Sequence, residues 1–136
     1  MEKEIKIANN TAEIARLADF VEELGVELGL SPAVTMNIDL ALEEAVINII
    51  LYAYPQDQLH EITLKVTSSG EHLIFLLTDR GMSFDPTQVP DADITLPLEE
   101  RPVGGLGIFL IRQIMNEVTY ERIGEENKLT MKKKIE

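Results

Sequence analysis

The sequence contains no cysteine among its 136 residues. This absence excludes disulfide bonds, thiolate zinc sites and cysteine nucleophiles, and it fits a reducing cytoplasm, where we expect the protein to act. The two histidines, His60 and His72, lack the spacing of metal ligands. No apolar run is long enough to cross a bilayer, and the first residues lack the apolar core of a signal peptide, so we expect no membrane association.

Basic residues are also scarce. Lysine and arginine total 12 against 24 aspartates and glutamates, which gives a formal net charge of -12. A negative protein repels phosphate backbones unless a local basic patch overcomes the general field. The one cationic run, Lys132 to Lys134, is typical of a solvated strand end, so we expect no direct binding to nucleic acid.

The helical patterns fall in three places. Thr11 is a candidate cap for a first helix that Gly29 ends, and Ser31-Pro32 opens a second helix that runs to about Tyr54. A third helix follows the glycines at 104, 105 and 107. Five alternating segments read as strands, namely EKEIKIA, EITLKVTS, HLIFLLTD, VTYERIG and NKLTMKKKI.

The order of these elements is β-α-α-β-β-loop-α-β-β. Because the strands cluster instead of alternating with helices, we expect an α+β fold in two layers: a mixed, mostly antiparallel sheet covered on one face by three helices. A chain of this length fits one domain, so we expect residues 1–136 to form a single unit.

A long irregular segment from Met82 to Val103 separates the second strand pair from the third helix. It holds four of the six prolines: Pro86, Pro90, Pro97 and Pro102. A loop this long in a compact domain is usually functional or disordered. We therefore predict a cover over a ligand site that is mobile when the site is empty.

A carboxylate and an amide lie one helical turn apart in the second helix. Asn48 follows Glu44 by four residues, in a stretch that is otherwise apolar from Ala45 to Ala53 apart from the hydroxyl of Tyr52. A buried amide costs several kcal/mol unless it has a partner. The pair is either a satisfied polar contact or an exposed stripe, or it positions a hard cation and a proton acceptor.

Asp79 ends an apolar strand, and Gly81 follows two residues later. This pattern is common where a strand enters a turn. The alternative is a carboxylate that accepts a hydrogen bond from a ligand amino group, beside a glycine that lets the ligand lie against the backbone.

Gly104, Gly105 and Gly107 stand at the start of the third helix, although each glycine inside a helix costs about 1 kcal/mol relative to alanine. They form either a tight loop-to-helix turn or an anion site at the helix N-terminus. The sequence lacks the P-loop pattern. Gly105-Leu-Gly107 also lacks the third glycine and the preceding strand of a dinucleotide fingerprint.

Taken together, the three stretches resemble the boxes of the gyrase and histidine-kinase ATP-binding (GHKL) superfamily, the Bergerat fold. EEAVINIILYAYP is similar to its Glu-x-x-x-Asn box, DRGMSFDP to its Asp-x-Gly-x-Gly box, and GGLGIFLIRQIMNEVTYER to its glycine box. The resemblance covers the whole chain. The sequences of these segments are most similar to those of the small anti-sigma-factor serine kinases.

The resemblance implies a cofactor pair, ATP and Mg²⁺, and a role for each motif. Asn48 would hold magnesium, and Glu44 would act as or assist the catalytic base. Asp79 would read the adenine amino group, and Gly81 would line the base pocket. The phosphates would be bracketed by Gly104, Gly105 and Gly107, with the proline-rich loop as a lid.

Two positions qualify this assignment. Ser83 stands where the box has its second glycine, and its side chain could crowd the nucleotide or tilt the lid. Glu43 is an alternative carboxylate, although its spacing to Asn48 favours Glu44.

Three functions compete. The first is a protein-serine kinase and anti-sigma factor that phosphorylates an anti-anti-sigma protein and sequesters a sigma factor, with a homodimer as an assembly to test. The second is a nucleotide-dependent binding module without transfer chemistry, which the presence of Glu44 and Asn48 disfavours. The third is a detached histidine-kinase catalytic domain. It is disfavoured because the sequence offers no helical hairpin with a phosphoacceptor histidine, and His60 and His72 both lie near predicted strands.

Overall fold

The computed structural model describes residues 1–52, 59–83, 85–88 and 105–135. Within these ranges the chain forms five strands: β1 (Glu2–Ala8), β2 (Glu61–Ser69), β3 (His72–Asp79), β4 (Glu117–Ile123) and β5 (Glu126–Lys134). The same ranges contain three α-helices: α1 (Ile14–Leu28), α2 (Pro32–Tyr52) and α3 (Gly105–Ile114). The predicted order of elements is confirmed.

Local sequence signals set the helix ends around α1 and α2. Gly29 ends α1 in the left-handed conformation at φ 66°, which glycine adopts without a Cβ penalty. Ser31 caps α2 by accepting a hydrogen bond from the backbone N–H of Val34 at 3.2 Å. The prediction that Thr11 caps the first helix is wrong. Asn10 accepts from the N–H of Ala12 at 2.9 Å, and this contact starts a short 3-10 turn before α1.

The strands form one sheet in the order β1-β2-β3-β5-β4, and every pairing among them is antiparallel. The expected α+β architecture with a mostly antiparallel sheet is confirmed. Because β3 and β5 are neighbours, the last residue of β3, Asp79, lies opposite Asn127 near the start of β5. The register therefore puts two polar residues side by side at one end of the sheet's centre.

The core lies between one face of this sheet and the helices. Buried residues alternate along the strands, as expected for a sheet with one covered face. Its largest fully buried members are Phe75, Ile7, Leu17, Leu24, Ile38, Leu42, Ile62, Leu64, Leu73, Leu77, Ile108 and Ile111. Asp79 and Asn127 continue the inward rows of β3 and β5, so both point to the covered side and are buried.

Most of the predicted loop from Met82 to Val103 lies outside the described residues, so its mobility stays a prediction. Its described start includes a short 3-10 turn, Pro86–Gln88. In the described part of the chain, no helix has both the length and the apolar character needed to cross a membrane.

Candidate functional site

Asp79 is the last residue of β3 and is only 4% exposed. Its Oδ1 accepts hydrogen bonds from the backbone N–H of Gly81 at 2.8 Å and from Nδ2 of Asn127 at 3.0 Å. Both bonds go to the same oxygen, and no described residue donates to Oδ2. The carboxylate therefore stabilises its own turn through one oxygen, while the other stays available as an acceptor.

Asn127 is a site residue that the motif analysis missed. It is 4% exposed, and besides Asp79 its Nδ2 donates to the carbonyl oxygens of Met82 at 3.0 Å and Gly81 at 3.3 Å. Its Oδ1 accepts from the hydroxyl of Tyr120 and, at 3.0 Å, from Arg122. The alternation of β5 could have revealed it, since Asn127 shares the inward face of Leu129 and Met131.

Asn48 and Asp79 line the same narrow cavity between α2, α3 and the sheet. Asn48 is 6% exposed, which makes it one of the few buried polar side chains in the described chain. The remaining lining residues are Ala45, Ile49, Pro86, Ile111, Tyr120 and Leu129. The fold thus brings the predicted metal-binding amide and the predicted base-reading carboxylate to one mostly apolar cleft.

Gly107 of α3 lies against Glu44 and Asn48 of α2. A Cβ at this glycine would be 2.9 Å from Oε2 of Glu44 and 3.7 Å from both Oδ1 and Nδ2 of Asn48. No side chain fits there without displacing the carboxylate. The glycine-headed helix therefore begins directly against the Glu44–Asn48 pair.

The other predicted glycines are placed less fully. Gly105 is the first residue of α3, and Gly81 is buried in the turn after β3. Gly104 lies outside the described residues.

The two neighbouring glutamates of α2 have different surroundings. Glu43 hydrogen-bonds with Asp39, and this bond, partial burial and the charges of Asp39 and Glu44 raise the pKa of Glu43 to about 7. Glu44, in contrast, contacts the start of α3 through Gly107. Of the two glutamates, Glu44 is therefore the one whose carboxylate lies against Gly107 at the start of α3.

The donor set near Gly107 suits a cation that takes few protein ligands. Glu44 and Asn48 offer carboxylate and amide oxygens, which Mg²⁺ prefers. No cluster of three or more histidine, aspartate or glutamate side chains that could hold a metal occurs in the ranges the structure describes. A cation bound here would complete its coordination with water and phosphate oxygens, as is usual for Mg²⁺.

The described start of the predicted lid is tied to α3 and to the sheet. Arg112 of α3 donates a hydrogen bond to the carbonyl of Thr87, and Thr87 donates to Asp85. Ser83 is exposed, and its hydroxyl lies 3.2 Å from the hydroxyl of Tyr120. The serine at the second glycine position is therefore engaged with β4.

Comparison with known proteins gives one family and a consistent set of relatives. The family model described as "Histidine kinase-like ATPase domain" matches residues 7–133. Serine-protein kinase RsbW of Bacillus cereus strain B4264 is 34% identical over 86 residues, which are 60% of this chain and 53% of that protein. RsbW of Bacillus mycoides strain KBAB4 is 33% identical over 86 residues, with the same shares.

A similar fold occurs in the crystal structure of the RsbU and RsbW domains of Rv1364c from Mycobacterium tuberculosis. The TM-score is 0.69 at 14% sequence identity, over 98% of this chain and 32% of that one. This likeness concerns the fold. The chain spans about half the length of the curated relatives it matches.

Proposed function

The chain belongs to the histidine kinase-like ATPase domain family, and from this membership we propose that it is an ATP-dependent protein-serine kinase and anti-sigma factor. It phosphorylates an anti-anti-sigma protein and sequesters a sigma factor. Relatives named serine-protein kinase RsbW support the transfer chemistry. We also propose that residues 1–136 act as one domain.

One observation carries the proposal. The start of α3 meets Glu44 and Asn48 so closely that a Cβ at Gly107 would be 2.9 Å from the carboxylate. Asn48 in turn lines the same cavity as Asp79. This proximity supports a site in which Glu44 acts as base, Asn48 binds the metal, the start of α3 binds phosphate and Asp79 reads the base, the groups that phosphoryl transfer from a nucleotide needs.

Each residue then has a distinct task. Asp79 accepts a hydrogen bond from the adenine amino group through Oδ2, and Gly81 lies beside the base. The backbone N–H groups at the start of α3, from Gly105 and Gly107 with Gly104 before them, bind the phosphates because this end carries partial positive charge. Asn48 would hold Mg²⁺, which when bound neutralises phosphate charge.

Glu44 handles the proton of the acceptor serine. As the serine oxygen forms its bond to the γ-phosphorus, its proton passes to the Glu44 carboxylate, and the bond to ADP breaks. A positioned base contributes about 10²- to 10⁴-fold to such a rate, while the other contacts mainly position the reacting group. Glu44 is suited to this task because its side chain is half-buried beside Gly107, at the start of α3.

The test is transfer of labelled phosphate from ATP, in the presence of Mg²⁺, to the anti-anti-sigma protein encoded nearest to this gene. Copurification with the neighbouring sigma factor is measured in parallel, and calorimetry measures ATP binding. Label on a partner serine supports the proposal. A complex without transfer would favour a sequestering module instead, and label on a histidine would favour a detached histidine-kinase domain.

A further inference from the structure

A chain of hydrogen bonds runs from the exposed Ser83 to the buried Asp79. We call it the Asn127 network, and it consists of Asp79, Asn127, Tyr120, Arg122 and Ser83. Its direction follows from the donors. The Tyr120 hydroxyl donates to Oδ1 of Asn127, so its proton is used. Ser83 must therefore donate to the Tyr120 oxygen, which lies 3.2 Å away.

The amide of Asn127 is held in one orientation. Its Oδ1 faces the guanidinium of Arg122, which can only donate, and its Nδ2 faces three acceptor oxygens. The two lone pairs of Oδ1 accept from two donors, and the two hydrogens of Nδ2 are shared among three acceptors. The hydrogen-bonding capacity of the amide is therefore filled. A flipped amide would set its NH₂ group against the guanidinium of Arg122 and its oxygen against three acceptor oxygens.

The fixed amide in turn fixes the backbone beyond β3. Nδ2 of Asn127 holds the carbonyl oxygens of Gly81 and Met82, and Arg122 donates to the Gly81 carbonyl at 2.7 Å. The turn that follows Asp79 is thereby tied to β4 and β5 by side chains alone. Its backbone cannot move without breaking several of these bonds.

The network also determines which oxygen of Asp79 is left for a ligand. Oδ1 is shared by Gly81 and Asn127, and no described residue donates to Oδ2. A carboxylate oxygen can only accept when ionised, so the unengaged Oδ2 of this buried residue selects a ligand that donates. The amino group of adenine donates, whereas the oxo group at the same position of hypoxanthine does not.

We propose that Asn127 and Tyr120 are positioning residues for base selection, and that the Ser83 hydroxyl is the outer link of the same chain. This inference rests on the proposed function, because it assumes that a nucleotide base enters the cleft beside Asp79. It gives the serine at the second glycine position a task. Ser83 steadies the carboxylate through Tyr120 and Asn127.

The experiment compares ATP with ITP, which carries the oxo group in place of the amino group. Calorimetry with Mg²⁺ measures both affinities for the unmodified chain, Tyr120→Phe, Ser83→Ala and the double variant. Ser69→Ala is the matched control, since Ser69 is an exposed serine at the last position of β2 and is not part of the Asn127 network. Circular dichroism melting checks that each variant folds.

Tyr120→Phe removes one hydroxyl and keeps the ring. Because a hydrogen bond contributes about 0.5–1.5 kcal/mol and 1.4 kcal/mol is tenfold in affinity, we expect the ATP preference over ITP to fall about 2- to 10-fold. Ser83→Ala should lower it less. The double variant should match Tyr120→Phe, since the serine then has no hydroxyl to bond. Ser69→Ala should leave the preference unchanged.

A purely structural role would weaken ATP and ITP equally and leave their ratio intact. Suppose that the unmodified chain prefers ATP and that Tyr120→Phe and Ser83→Ala leave the ratio of ATP to ITP affinity unchanged. This result would refute the positioning role and leave the proposed function standing. Equal affinities for ATP and ITP in the unmodified chain would also refute it. If the unmodified chain binds no ATP, the proposed function fails and the inference fails with it. Since Ser83 is exposed, its variant should fold even where a change at Tyr120 does not.

Discussion

Gly107→Ala should separate stability from function at the start of α3. The new Cβ would lie 2.9 Å from Oε2 of Glu44, well inside normal carbon–oxygen contact, and 3.7 Å from the polar atoms of Asn48. The close atom is the end of a flexible side chain, so the carboxylate swings aside. Overpacking typically lowers the free energy of unfolding by about 1–3 kcal/mol, and we expect a value at the low end of this range.

Alanine also favours the helix by up to about 1 kcal/mol over glycine, which offsets most of that cost. We expect the free energy of unfolding of Gly107→Ala to change by less than about 1 kcal/mol. Phosphate transfer should nevertheless drop by about 10²-fold, because a base displaced by an ångström loses its alignment with the acceptor hydroxyl. Urea unfolding and the labelled-transfer assay measure the two quantities on the same preparation.

Gly25→Ala is the matched control, because it also crowds two packed helices but lines a different cavity from the one that holds Asn48 and Asp79. Its Cβ would be 2.4 Å from Oγ1 and 3.1 Å from Cβ of Thr35, whose hydroxyl is bonded to the carbonyl of Ser31. Because the crowding includes the Cβ of Thr35, a change of its rotamer does not relieve it, and this variant should lose about 1–3 kcal/mol of stability. Its transfer activity should persist at temperatures where it is folded, and Thr35→Ala should restore its stability.

Transfer by folded Gly107→Ala at the rate of the unmodified chain would refute a role for this contact in the chemistry. A loss of transfer in folded Gly25→Ala as strong as in Gly107→Ala would refute it too. In either case the contact between α3 and Glu44 would be a packing feature and not part of the chemistry.

Four further substitutions test the rest of the site and the neighbouring carboxyl of Glu43. Glu44→Ala should retain ATP binding in calorimetry and lose transfer by about 10²- to 10⁴-fold. Asn48→Ala should also weaken the magnesium-dependent part of ATP binding. Equal effects of the two substitutions would contradict the separate roles of the two residues. Asp79→Asn should reduce ATP affinity and the preference for ATP over GTP, and an unchanged preference would remove Asp79 from the base pocket. The pKa of Glu43 is raised from its ordinary value of 4.5 to about 7 in the folded state. Between these two pH values the folded state therefore binds more protons than the unfolded state, so the free energy of unfolding falls as pH rises through this window. Glu43→Gln should flatten this slope in urea unfolding from pH 5 to 8, while Glu23→Gln, at an exposed position of α1, should not.

The fold was predictable because its signals are local and repeated. Strand alternation, the glycine after α1 and the serine-proline pair before α2 each act within a few residues, and each has a direct counterpart in the structure. The cap predicted at Thr11 was wrong because a 3-10 turn, capped by Asn10, precedes α1, and asparagine and threonine are both good caps, so only backbone geometry decides between adjacent candidates. The family match confirms the resemblance on which the fold class also rested.

The site was predictable only where a motif spans a short stretch of chain. Glu44 and Asn48 share a helical face, so their spacing predicted their proximity. Asn127 is 48 residues from Asp79, and their contact depends on the register of β3 against β5. No local pattern encodes that register. The same limit applies to Ser83, whose partner Tyr120 lies on β4, 37 residues later, so the sequence reveals the departure from the glycine box without its consequence.

The surroundings of Gly107 and of Asp79 are held by different physical means, and this explains why substitutions should separate their effects. At Gly107, the proposed phosphate side, the missing side chain lets two helices approach until backbone and carboxylate meet, so the proposed function depends on the absence of a side chain. Asp79, the proposed base-reading residue, is fixed by a filled hydrogen-bond network, so its proposed function depends on side chains that are present. Adding one methyl group at Gly107 should therefore impair transfer without altering base preference, and removing one hydroxyl at Tyr120 should do the reverse.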